Sequence, residues 1–127
     1  MKTRCTLWVL AALAALAITP AWAHHSAAQF DFGKSTQIEG VVQKIEVVNP
    51  HMELVLRVSD SKGTRDIEYE GHSRNNVYRS GWRDGVVKVG DKIKIDIAPK
   101  RDGSDGGYVR AFITAKGERV GQAGNLQ

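Results

Sequence analysis

Along the chain the apolar positions fall into short runs of period two, separated by clusters of glycine, proline and polar residues. Over residues 36–48 the run is rich in β-formers, and its apolar phase slips at Gly40, between Ile38 and the later Val41, Ile45 and Val47. A glycine at such a slip predicts a bulge or a sharp bend. Asn49-Pro50 then ends the strand, because proline removes a ladder donor. Met52, Leu54, Leu56 and Val58 alternate with Glu53, Val55 and Arg57, the period of a strand buried on one face. Lys62-Gly63 predicts a hairpin turn, and Ile67 and Tyr69 mark a third short strand. Ser73 is placed to cap a brief helix reaching Ser80, with Gly81 as its left-handed stop and Trp82 folding back on the last turn. After a turn at Val89-Gly90-Asp91, Ile93, Ile95 and Ile97 alternate with Lys92, Lys94 and Asp96 in the cleanest strand of the chain. A polar, glycine-rich connection over 99–107 leads to a last strand over 108–115. Its pattern puts Val109, Ala111 and Ile113 on one face and Tyr108, Arg110 and Phe112 on the other.

Three strands, a short helix and two more strands, the first strand long and bent, is the order of a small five-stranded, partly open barrel of the oligonucleotide- and oligosaccharide-binding (OB) type. The expected fold class is therefore all-β, mainly β with one short helix. A split barrel or small sandwich would share the strand count. Residues 24–35 lack a helical or strand period and read as an arm, pinned to the barrel by Phe30 and Phe32; 36–117 form the barrel and 118–127 a flexible tail.

The residues ahead of the arm change the picture of the whole. Lys2 and Arg4 form a basic start, an apolar run follows over 7–18, and Ala21-Trp22-Ala23 is an A-x-A cleavage site. The expectation is a cleavable signal peptide over 1–23 and a periplasmic product that begins at His24. The apolar run is shorter than the roughly 20 residues that span a bilayer, and no membrane span is expected in the product. Cys5 is removed with the leader, leaving no cysteine for a disulfide or a thiolate metal site. The leader also carries two of the 18 basic residues and none of the 14 acidic ones, so the product is nearly balanced in charge. That balance argues against a nucleic-acid partner, which calls for a clustered basic face. The 104 residues left suit one domain.

All four histidines survive cleavage. Release of the His24 amine provides a group whose proton, with a pKa of about 7.7–8.0, a metal displaces near neutrality. Amine and ring of His24 can close one chelate, and His25 adds a second ring. In an up-down-up meander His51, after the first strand, and His72, after the third, lie at the same end of the sheet, about two strand spacings of 4.8 Å apart. An arm of ten residues spans about 33–36 Å and reaches that end. A nitrogen-rich, thiolate-free set suits copper(II) best. The competing reading is a polar, solvated start at His24 and His25 and a simple turn residue at His51. Met52 would soften the site toward copper(I), but its strand period turns it to the core.

Trp82, the only tryptophan left after cleavage, and Arg83 offer a stacking platform for a glycan or protein, although a tryptophan there more often plugs a barrel end. Asp66, Glu68 and Glu70 read as one wet strand face. Nothing resembles a nucleophile elbow, a phosphate loop or a zinc-protease helix, so no catalytic residue and no enzymatic activity is expected. The function expected is a copper carrier or buffer using His24, His25 and His51, with His72 the weakest member. The rival is a metal-free accessory or scaffold module for an envelope protein or glycan.

Ala23-His24-His25-Ser26, Phe30-Asp31, Glu39-Gly40-Val41-Val42, Asn49-Pro50-His51, Gly81-Trp82-Arg83-Asp84 and Val89-Gly90-Asp91 together resemble an uncharacterised family of small exported bacterial proteins, a domain of unknown function. The resemblance covers nearly all of the chain after the leader. It implies an envelope location and a shared barrel, and it carries no established activity. His24, His25 and His51 fall on its motifs; His72 does not.

Overall fold

The computed structural model describes residues 25–121, and for the first two of these the backbone alone. The signal peptide expected over 1–23, His24 and the end of the tail lie outside the described residues. A single helical turn, α1 (His25–Ala28), opens the arm. Then follow β1 (Thr36–Glu46), β2 (Glu53–Asp60), β3 (Gly63–Gly71), α2 (Arg74–Arg79), β4 (Lys92–Pro99), β5 (Gly107–Ile113) and β6 (Arg119–Gly121).

The sheet runs β3-β2-β1-β4-β5-β6, and a parallel contact between β3 and β5 closes the first five strands into a barrel. The expected small all-β barrel with one short helix between its third and fourth strands is what forms. β1 is long enough to serve two neighbours. Its first half pairs with β4, from Thr36↔Ile97 to Val41↔Lys92, and its second with β2, from Val41↔Arg57 to Glu46↔Glu53. Gly40 sits where the strand changes neighbours, but the register slip itself falls between Val42 and Lys44. The role of Gly40 is close approach: a Cβ there would lie 2.8 Å from the Arg57 carbonyl oxygen and 3.1 Å from the Leu56 Cβ.

Alternation builds the core as expected. Leu54 and Leu56 from β2, Ile67 and Tyr69 from β3, and Ile93, Ile95 and Ile97 from β4 are all buried, and Met52 joins them at 1% exposure. The last barrel strand departs from its pattern. Phe112 turns into the core, while Ile113 is half-buried. The cause is a register shift against β4, where Asp96↔Ala111 is followed by Ile97↔Val109. The intervening Arg110 is skipped, and one unpaired residue inverts the faces beyond it. The tail also differs from expectation in its first part, since residues 119–121 form β6 on the outer edge of β5 and bury Val120. Arg119 bonds Asp96 at 2.6 Å, and Gln37 donates to the same carboxylate at 3.1 Å. Asp96, read as a surface position, is thereby covered.

α2 closes one end of the barrel. Ser73 is its N-cap, but the side chain makes no capping bond. At the other end Gly81 takes a φ of +101° and donates to the Tyr78 carbonyl, while Trp82 donates to the Val77 carbonyl. This pair of bonds is a Schellman stop, which glycine allows at no steric cost and which brings the next residue back against the helix. Among the described residues no helix is long and apolar enough to cross a membrane.

Candidate functional site

His51 and His72 meet at the ends of β2 and β3. Beyond the pair Glu53↔Glu70, the Gly71 amide donates to the Met52 carbonyl and the Met52 amide to the His72 carbonyl, both at 3.1 Å. The two histidines therefore flank a continued β2–β3 ladder, closer than the two strand spacings the meander alone suggests. Gly71 is buried against Met52: a Cβ on it would stand 2.9 Å from both Cγ and Sδ of that side chain. A larger residue at that position would push the ladder open beside both rings.

Each ring is held through one nitrogen. His51 Nδ1 lies 3.3 Å from the Gly71 carbonyl; since a carbonyl only accepts, this bond places the proton on Nδ1. His72 Nδ1 lies 3.1 Å from the Tyr108 hydroxyl, a group able to donate or accept. No hydrogen bond engages either Nε2 among the described residues. A histidine that ligates a metal commonly has its second nitrogen committed to a carbonyl or similar group. His51 is exposed and His72 half-buried.

Burial first, and then the charge that His51 would carry, hold the His72 pKa below the ordinary histidine range. The folded protein thus favours neutral His72, the form that binds metals. The sign for stability follows: the unfolded chain takes up the proton first as pH falls. The His72 contribution is complete above the ordinary value of about 6.5 and is lost as pH drops through the lower folded value. Denaturant midpoints of the metal-free protein should decline as pH falls below about 6.5, and His72→Gln should flatten that decline.

The arm leads toward the same end. Phe30 is 1% exposed and forms a bridge with Lys100. The Asp31 amide donates to the Pro99 carbonyl and the Arg101 amide to the Gln29 carbonyl, each at 2.8 Å. Ring centroids of Phe30 and Phe32 lie 5.6 and 5.3 Å from that of Tyr108, which stands 5.1 Å from His72. A chain of aromatic contacts therefore runs from the arm to the histidine pair. His24 lies six residues before Phe30, at most about 20 Å of extended chain. His25 opens α1 at the head of that arm. Beneath the arm, Gln29 and Phe30 overhang a cleft of about 280 Å³, lined on the barrel side by Glu53, Glu68 and Glu70 with Lys44 and Lys100. Glu68 and Glu70 of the wet face read in the sequence thus line this cleft, where Glu53 is paired with Lys44 at 3.0 Å, while Asp66 is engaged by Arg57 at 2.8 Å. Among the described residues no group of three or more His, Cys, Asp or Glu side chains is arranged to hold a metal ion, so the barrel contributes a pair.

The other candidates are accounted for differently. Trp82 is 2% exposed and packs on Phe112 at 5.0 Å, so the stacking platform is corrected to a buried plug. Arg83 donates to the carbonyls of Tyr78 and Trp82, at 3.1 and 2.5 Å. Tyr108 is the residue that sequence reasoning did not single out. Its place beside His72 depends on the β3–β5 closure, Glu70↔Tyr108 and Gly71↔Val109, a non-local pairing with no local signature.

Residues 11–110 match the profile of DUF6152, a family of unknown function. The chain belongs to that family. No curated protein and no solved structure matches it. For this DUF6152 chain the matched region takes in all four histidines, Tyr108 and the barrel down to the middle of β5.

Proposed function

We propose that the chain is an exported, periplasmic carrier or buffer of copper, which it holds between its processed amino terminus, at His24 and His25, and the barrel histidines His51 and His72. The single observation that carries this reading is the pairing of His51 and His72, each committed through Nδ1 to an oxygen and each with Nε2 left for a ligand. The reading revises the weight of His72, which the family motifs disfavour and the barrel supports. The docked arm supports the supply of further nitrogens from His24 and His25, and the carboxylates of the cleft favour a cation. Without a thiolate, such a set suits copper(II) ahead of zinc or nickel.

The rival reading, a glycan- or protein-binding module, used Trp82 together with the barrel face; Trp82 is buried at 2% exposure, which leaves that reading the barrel face alone. We read the protein as non-catalytic, its role being to hold the ion. Copper(II) titration of the processed protein tests the proposal. His51→Gln and His72→Gln should each weaken binding at least about 10–100-fold, the cost seen when only the support of a ligand is lost. Unchanged affinity in both variants would remove the barrel from the site.

A further inference from the structure

We infer that Tyr108 is a positioning residue for this site, holding His72 in either of its neutral forms and tying that ring to the arm; the inference rests on the copper reading above. The two histidines are supported unequally. The Gly71 carbonyl can only accept, so His51 is confined to the form with its proton on Nδ1. His72 faces a hydroxyl instead, at 3.1 Å. With the His72 proton on Nε2, the phenol donates to Nδ1. When a cation takes Nε2, the proton must sit on Nδ1, and the phenol oxygen then accepts it. The Nε2 proton is released to solvent and one is taken up at Nδ1, so the proton count of the pair is unchanged while the hydroxyl turns from donor to acceptor. A one-way partner would instead leave Nδ1 unsatisfied in one of the two states, and an apolar group would leave it unsatisfied in both, with no bond to hold the ring when Nε2 takes a cation.

The same ring is the anchor of the arm. It meets His72 edge to face, with an interplanar angle of 89°, and carries Phe30 and Phe32 on its other contacts. The backbone fixes this placement, because the β3–β5 closure pairs Tyr108 with Glu70 and Val109 with Gly71, next to His72. Tyr108 thus serves both segments that the copper reading requires to converge.

Tyr108→Phe in the processed full chain tests the inference, since it keeps the aromatic contacts and deletes only the hydroxyl. In the metal-free wild type, the His72 Nδ1 chemical shift should report a hydrogen-bonded nitrogen, and in Tyr108→Phe an unbonded one. Copper(II) affinity should fall about 10–100-fold. The fall should vanish in a His72→Gln background, because a residue acting through His72 adds nothing once that ring is gone. Unchanged His72 nitrogen shifts, or a full additive loss in the double variant, would overturn the inference. If the wild type binds no copper, the carrier reading fails, and the His72 shifts alone decide whether Tyr108 positions the ring.

Discussion

Trp82→Ala is expected to destabilise the protein by about 3–5 kcal/mol, the range for truncating a fully buried tryptophan. In a domain of this size each kcal/mol moves the thermal midpoint by about 4–8 °C, so unfolding should begin at least about 12 °C lower. The size of the effect comes from position. Gly81 reverses the chain at the end of α2, the Trp82 amide closes the stop on Val77, and the indole enters the barrel end against Phe112. Removing it leaves a cavity under the only helix that covers this end among the described residues, and α2 is too short to hold itself by propensity. Trp82→Phe should cost far less. It retains an aromatic ring against Phe112, and the indole Nε1 it deletes is buried with no hydrogen-bond partner. Thermal unfolding of the two variants beside the wild type checks both statements. Equal losses would contradict the claim that an aromatic ring packed on Phe112 is what holds the barrel end.

Much of the barrel was legible because its strands obey period two and its turns carry glycine at the required places. β4 is the clearest case: Ile93, Ile95 and Ile97 read as one buried face and are one. Legibility failed where pairing is not local. The face inversion at Phe112 follows from the residue skipped opposite β4, and no pattern within β5 announces it. β6 was missed because three residues with a single buried valine carry too little periodicity to be seen. The slip expected at Gly40 fell between Val42 and Lys44, since that glycine is used for close approach to β2.

The candidate site shows the same division. That His51 and His72 share an end of the sheet follows from counting strands in a meander, and needs no side-chain knowledge. Their closeness follows from the continued ladder at Met52, and the support of His72 by Tyr108 from the parallel closure of the barrel. Neither pairing has a signal in the sequence. Trp82 was legible: Gly81 marks a helix stop that folds the next residue back, and of the two roles weighed for that tryptophan the barrel plug is the one its 2% exposure fits.

The largest expected effect on binding comes from the amino terminus. Signal cleavage after Ala23 would create a ligand, because an internal His24 has an amide nitrogen where the processed protein has an amine. One extra residue before His24 keeps both imidazoles, the arm and the barrel. It displaces the amine and would break the chelate proposed between that amine and the His24 ring. Loss of a ligand should cost no less than loss of a ligand's support, so a fall of at least about 10–100-fold is expected. The fold should be unaffected, since α1 and the Phe30 anchor lie downstream of the change.

The most direct measurement is therefore a competitive copper(II) titration, near neutral pH, of the processed protein beginning at His24 beside the same protein with one residue added before it. The account predicts tight, stoichiometric binding by the first and the stated weakening in the second. Equal affinity of the two proteins would contradict it.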